Sequence, residues 1–381
     1  MRIHIIAAAL PPQLDGIGDY TANLAAELAH SATVTVLTGA PTPDLIPGVQ
    51  VETAFSADNP RSVWNLVSRV AADPPDWVLL QYNPFSYGRW GLNLHLPRVI
   101  RRIKCRCPGT KFALMVHEPF VPIISPQFAV MATWQRWQLW ALGQAADVVF
   151  FSIDPWRCRF QKWFPSKHVV HLPVGSNIPL VSIKREEARA RLGIGDTTVV
   201  LGLFGTASAG RMLGQVQEAA AALRQSGYTT LVLYIGPDRE KVCAALSSTD
   251  VIADGPSPAE EVSRRFAAMD IYLVPYLDGL STRRTTLMAA LQHGIATVGT
   301  RGPLTDSLLA QEDGRAFLLA DVAAPEMFST HVLRLATKME LRKQIAEEGA
   351  SLYAREFAWQ KIVEKMQKAL TDHLVVTRQG V

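Results

Sequence analysis

From Asp278 to Thr286 the chain reads Asp-Gly-Leu-Ser-Thr-Arg-Arg-Thr-Thr, which gathers hydroxyls and guanidinium groups in one short stretch. The apolar run Ile271–Val274 before it predicts a buried strand. The small-residue segment Leu287–Gln292 after it predicts a helix, closed by His293-Gly294. A loop of this composition at a helix N-terminus favours an anion, because the helix dipole and the unpaired N–H groups act in the same direction. Arg283 and Arg284 can offer forked donors to phosphate oxygens, with Ser281, Thr282, Thr285 and Thr286 as shorter-reach partners. The plainer alternative is a solvated loop with two surface arginines and a Ser/Thr cap.

Three further groups of residues could do chemistry. The segment from Pro11 to Tyr20 carries Gly16-x-Gly18 followed by Asp19. It resembles part of a dinucleotide fingerprint, but the third glycine is missing and Thr38-Gly39 stands where an acidic residue should end the second strand. A glycine loop lining a sugar or phosphate site, or a structural tight turn, remains. His117-Glu118 follows the strand Phe112–Val116, and α/β folds place ligands at the carboxyl ends of parallel strands; a histidine satisfied inside the domain is the alternative. A small-residue loop, Gly205–Gly210, follows the strand Thr198–Phe204.

The elements that must hold these residues alternate between strand and helix. The first series places strands at Arg2–Leu10, Thr33–Thr38, Trp77–Gln81, Phe112–Val116, Val148–Ser152 and Lys167–Leu172, with a helix at Thr21–His30. Pro173–Pro179 reads as a linker. A second series follows, with strands at Thr198–Phe204, Thr230–Ile235, Val251–Asp254, Ile271–Val274 and Ile295–Val298. Two such series predict an α/β chain of two doubly wound parallel-sheet domains, Rossmann-like, facing across a cleft. The boundaries are 1–173 and 174–356, with a last helix within 357–381 that packs back on the first domain.

The 381 residues suffice for two cores, and 48% hydrophobic with 19% charged residues suits large buried sheets. A net charge of +4 gives no argument for nucleic acid. Cys105-x-Cys107 is a poor zinc pattern with no completing pair, so no metal site is expected, and the four cysteines fit reduced thiols in a cytoplasm. Met1–Ile6 turns to Pro11-Pro12 before a signal-length core develops, and no run is long enough to span a bilayer. Any membrane role is therefore expected to be peripheral. Arg98, Arg101, Arg102, Lys104 and Arg106 form a basic run, either a solvated helix face or one meeting anionic lipid. Trp134, Trp137 and Trp140 form a stripe for which core packing is expected, with a lipid- or acceptor-facing patch as the alternative.

Taken in order, the Gly16-Ile17-Gly18-Asp19-Tyr20 loop, the strand-end His117, the Phe204-Gly205 loop and the Phe357-Ala358-Trp359 helix start resemble the GT-B glycosyltransferases of the family-4 type, over nearly the whole chain. That resemblance implies an acceptor-side N-terminal domain and a nucleotide-sugar-binding C-terminal domain. It implies transfer of a hexosyl group with retention and without a metal. The donor would be a UDP-sugar, UDP-glucose or a similar UDP-hexose, and there would be no other cofactor. The acceptor would be a saccharide or lipid-linked saccharide, as in polysaccharide or exopolysaccharide assembly.

Residue by residue, His117 would contact the transferred sugar, Glu118 would orient it or touch the acceptor, and Asp19 would meet an acceptor hydroxyl. Gly205 and Thr206 would let backbone approach the phosphates, and backbone near Gly255 would hold the base. The family's diphosphate-binding Arg and Lys fall at Thr206 and Arg211. Its Glu-x7-Glu motif is broken: Asp278 stands near the first acidic position and Ala289 replaces the second, a ribose ligand. The resemblance leaves two other readings, an epimerase or phosphorylase of the same fold, and a non-catalytic nucleotide-sugar-binding partner.

Overall fold

The computed structural model describes residues 1–41, 46–56 and 58–379, the last seven of these as backbone only. Two compact units result, one of residues 1–173 with 359–381 and one of 174–358.

The first unit runs β1 (Arg2–Ala7), α1 (Gly16–Leu28), β2 (Thr33–Thr38), β3 (Val49–Thr53), α2 (Asn65–Ala72), β4 (Trp77–Tyr82), α3 (Leu96–Arg106), β5 (Lys111–Val116), α4 (Pro126–Ala145), β6 (Val148–Phe151), α5 (Asp154–Phe160) and β7 (His168–His171). All seven strands are parallel, in the order β3-β2-β1-β4-β5-β6-β7. β4 is buried at every residue, and β5 at all but its first, which is why these central strands read as unbroken apolar runs. β3, on the edge, is half-exposed and shows no such run. Right-handed crossovers put α3 and α4 side by side on one face of the sheet, and α1 lies on the other.

The second unit runs α6 (Arg185–Arg191), β8 (Val199–Phe204), α7 (Leu213–Gln225), β9 (Thr230–Ile235), α8 (Arg239–Ala245), β10 (Asp250–Asp254), α9 (Ala259–Phe266), β11 (Ile271–Val274), α10 (Thr285–Gln292), β12 (Ala296–Arg301), α11 (Ser307–Gln311), β13 (Leu318–Asp321), α12 (Glu326–Thr337) and α13 (Met339–Leu352). Its six parallel strands follow the order β10-β9-β8-β11-β12-β13. Their inward faces and α7 and α12 share one apolar core that includes Leu201, Val216, Tyr234, Leu273 and Phe328. After it, α14 (Trp359–Gln379) returns to the first unit and packs on α1, β6 and β7. Among the described residues no helix is long and apolar enough to cross a membrane.

Helix α4 reverses the expected core packing of the tryptophan stripe. Trp137 and Trp140 stand on its open face at 43% and 44% exposure, while Gln135 and Gln138 are fully buried. The amides are inside because loop backbone needs them. Gln135 accepts from the Val121 N–H at 2.9 Å, and its own amide donates to the Trp90 carbonyl at 3.2 Å. Gln138 accepts from the Asn93 N–H at 2.8 Å. A buried backbone N–H left unpaired costs about 1–3 kcal/mol, so satisfied amides outcompete an apolar side chain at these two positions.

Candidate functional site

In the second unit the strand order reverses between β8 and β11, and doubly wound sheets hold ligands outside the carboxyl ends of such a pair. The loops leaving those two ends are stitched together. The Met212 N–H donates to the Pro275 carbonyl at 2.8 Å, and the Leu277 N–H donates to Gly210 at 2.9 Å. Gly205 follows β8 with φ +89°, and a Cβ there would sit 2.8 Å from Thr286 Cγ2, so both backbone and space require glycine. The Tyr234 hydroxyl donates to the Gly205 carbonyl at 3.0 Å, and Asp238 accepts from the Ala207 N–H at 2.8 Å. These contacts hold the β8 loop against β9. Thr206 is exposed at the loop's outer edge.

Arg211 is the unusual residue of this cluster. It is 5% exposed, and its Nη1 reaches only the carbonyls of Gly205 and Thr206, at 3.4 and 3.3 Å. Its Nε and Nη2 are buried without a partner, and no carboxylate pairs with it among the described residues. Buried guanidinium groups are ordinarily paired, because desolvating a lone cation costs several kcal/mol. Here two donors are left without the partner that an anion would supply.

The loop after β11 supplies the rest. Arg283 and Arg284 do not stand free: each has an Nη2 at 2.7 Å from Asp278, and Arg284 lies 3.7 Å over the Tyr276 ring. The three side chains carry a net charge of +1 rather than the +2 of two free arginines. Burial, with the neighbouring Arg283 charge second, lowers the pKa of Arg284. Helix α10 starts at Thr285, two residues before the sequence pattern places it, so the first-turn N–H groups belong to Thr285 and Thr286. The Thr282 N–H is not available, because it donates to Asp306 at 2.7 Å. Ser281 and Thr282 are fully buried. Among the described residues, Ser281 Oγ and Arg284 Nε are buried with no hydrogen-bond partner. Gly205, Arg211, Arg284 and Thr286 are thus brought together. Gly255 is not in this cluster: it follows β10, with β9 between it and β8, and nothing lies within 4 Å of an added Cβ. Ala289 faces the interior at 0% exposure and offers no ribose ligand.

In the first unit His117 leaves β5 beside β4. It is 7% exposed, and its Nε2 lies 2.7 Å from the Gln81 Oε1. With the Gln81 oxygen turned toward the ring, Nε2 is the donor and Nδ1 keeps a lone pair, since an amide oxygen only accepts; the opposite amide orientation would reverse the two. The Tyr20 ring meets the imidazole edge-on at 4.8 Å and rests on Trp359 at 5.3 Å. Burial pushes the His117 pKa down to about 3, so the ring is neutral across the physiological range. It can accept a hydrogen bond from a hydroxyl, but it is a poor proton carrier. Glu118 is exposed and Asp19 half-buried.

The expected glycine loop at 16–18 is instead the first turn of α1. Asp15 caps it, accepting from the Ile17 and Gly18 N–H groups at 3.2 and 3.3 Å, so those amides are already satisfied. Gly18 is small because Ala9 backbone lies 3.0 Å from a would-be Cβ, whereas Gly16 has open space.

Tyr276, Gln81 and Tyr234 escaped the sequence reading. A polar residue closing the apolar run Trp77-Val-Leu-Leu is the one signal that points to Gln81; Tyr276 and Tyr234 read as ordinary strand-end aromatics. Among the described residues no three His, Cys, Asp or Glu side chains are grouped as a metal would require.

No protein-family model matches the sequence, and no curated protein does. Solved structures match over the full length. A sucrose-phosphate synthase from Thermosynechococcus elongatus superposes with a TM-score of 0.75 at 15% identity, covering 99% of this chain and 100% of that one. WaaG, a glycosyltransferase involved in lipopolysaccharide biosynthesis, gives 0.69 at 17%, covering 97% and 99%. HepE of Anabaena, in complex with UDP and glucose, gives 0.71 at 14%, covering 98% and 100%. The likeness establishes the GT-B fold for this chain.

Proposed function

We propose that this chain is a glycosyltransferase that moves a hexosyl group from a UDP-hexose, UDP-glucose or a close relative, to a hydroxyl of a saccharide or lipid-linked saccharide. The observation that carries the reading is Arg211: a buried guanidinium with two unpartnered donors at the point where the strand order reverses. The structural likeness to HepE, whose structure holds UDP and glucose, supports the donor class.

In the proposed reaction the bond from the anomeric carbon to the diphosphate oxygen breaks and its electron pair stays on the diphosphate, while the acceptor hydroxyl oxygen bonds to that carbon and its proton passes to the departing diphosphate oxygen. Arg211, the Thr285 and Thr286 N–H groups and the Arg284 guanidinium neutralise that charge, which is greatest after bond breaking, so they favour the transition state over the bound donor. Gly205 lets the backbone approach the phosphates. Asp278 keeps Arg283 and Arg284 from repelling each other and Arg211 while the site is empty. His117, neutral, accepts from a hydroxyl of the transferred sugar through Nδ1. Glu118 and Asp19 are the carboxylates assigned to the acceptor, and backbone near Gly255 to the base. Retention of configuration and independence of divalent metal belong to the same proposal.

Calorimetry with UDP tests it. UDP should bind in the presence of a chelator, and Arg211→Met should abolish most of that affinity. Unchanged affinity in the variant overturns the assignment. The buried alanine at 289 favours one second reading, a donor-binding subunit without turnover; release of free hexose or transfer product from UDP-glucose decides against it.

A further inference from the structure

The outer surface of α3 and α4 carries a combination that a water-facing surface rarely holds. Along α4 the exposed positions Val130, Trp137 and Trp140 recur at helical spacing. The loop before it adds Ile123 and Ile124 at 54% and 75% exposure. Trp90 joins them through the contacts its carbonyl accepts from Trp134 Nε1 at 3.1 Å and from Gln135. It is 62% exposed and its φ of 56° is in the left-handed region, a conformation that costs a bulky residue free energy. A tryptophan held out by strained backbone, with the chain beneath pinned by buried amides, is a built feature rather than a loose loop.

Between Trp77 and Ala146 the chain has eight Lys or Arg residues and one acidic residue, Glu118, although the whole chain carries only +4; of the eight, Lys104 is paired with Asp147, the residue just beyond. Arg98, Arg101, Arg102 and Arg106 are exposed at helical spacing on α3, and none has an ion-pair partner among the described residues. Arg136 lies over the Phe120 ring at 4.6 Å and Arg89 over Trp90 at 5.5 Å. Because α3 and α4 are neighbours on one sheet face, the arginine row and the tryptophan row open outward together.

We propose that this face docks the protein on the surface of an anionic lipid bilayer. The Trp and Ile side chains enter the headgroup boundary and the α3 arginines sit against lipid phosphates. Tryptophan suits that depth because its ring is apolar and its N–H can still bond, and unneutralised guanidinium groups match a negative surface. A second copy of this chain is disfavoured as the occupant, because the same stretch of the other copy offers the arginines no carboxylate except Glu118. The proposal does not depend on the transfer reaction.

Co-sedimentation of the full chain with vesicles tests it, using phosphatidylcholine alone and phosphatidylcholine with phosphatidylglycerol. The chain should pellet with the phosphatidylglycerol vesicles and not with the neutral ones, and added salt should weaken the binding. Each arginine near an anionic surface strengthens partitioning roughly fivefold, so R98Q/R101Q/R102Q should weaken it on the order of 100-fold. W137S/W140S should weaken it too, and should reduce the quenching of tryptophan emission by brominated lipid, leaving the share that Trp90 contributes. Circular dichroism confirms that both variants are folded, as surface positions allow. The proposal falls if the wild type does not pellet with anionic vesicles, or if binding survives both variants. It also falls if the face makes a dimer that W137S/W140S dissolves while vesicles are ignored.

Discussion

Replacing Arg211 by methionine should move ligand affinity and stability in opposite directions. In the free protein the guanidinium is buried at 5% exposure, holds two long contacts of 3.4 and 3.3 Å to carbonyls, and leaves Nε and Nη2 unpartnered. Exchanging a poorly paired buried charge for an apolar side chain of similar volume is neutral or stabilising by about 1–4 kcal/mol, less the weak carbonyl contacts. The melting temperature of the free protein should therefore hold or rise by a few degrees, at about 2–4 °C per kcal/mol for a unit of this size. Binding should respond the other way. Two charge-assisted hydrogen bonds to a diphosphate are worth about 1.5 kcal/mol each at the low end, so their loss weakens UDP by on the order of 100-fold. Calorimetry and a thermal melt without ligand measure the two effects on one preparation. A variant that melts well below the parent, or that binds UDP within about threefold of it, refutes the idea that Arg211 is held unpaired for an anion.

Asp278→Asn should free Arg283 and Arg284 from their 2.7 Å contacts, lowering stability while raising UDP affinity several-fold at low salt, as read by melting and calorimetry. Gly205→Ala should destabilise the fold by about 1–3 kcal/mol through its φ of +89° and the Thr286 Cγ2 contact; adding Thr286→Ser removes that methyl and should restore part of the loss in urea unfolding. His117 has a folded pKa of about 3, below its ordinary 6.5, so the unfolded chain binds the proton more readily. Its contribution to stability is complete above about pH 6.5 and is lost as pH falls toward about 3, at roughly 1.4 kcal/mol per pH unit. His117→Gln should flatten the fall in urea midpoint across that window, and an unchanged slope would mean the ring titrates normally.

How far the chain can be read without its fold follows from the range of each interaction. The central strands β1, β4, β5, β8, β9 and β11 announce themselves as apolar runs, because a parallel strand covered on both faces needs apolar residues throughout. The alternation of strand and helix then dictates two doubly wound sheets, and the loops at their carboxyl ends are where chemistry was expected. The edge strand β3 is missing from that reading, since a half-exposed strand needs no such run; β13 is missing too, although its Leu318, Leu319 and Ala320 are buried, because it is only four residues long. What the loops do was decided in three dimensions. Asp278 neutralises arginines five and six residues later through a turn that spacing alone does not specify. The glutamines of α4 lie inside, with its tryptophans outside, because unpaired N–H groups on loops far along the chain had to be met. Arg211 is distinctive for lacking a carboxylate among the described residues, and a missing partner is visible only once the neighbours have been placed. Local periodicity is a property of consecutive residues, whereas pairing and its absence belong to residues that folding alone brings together.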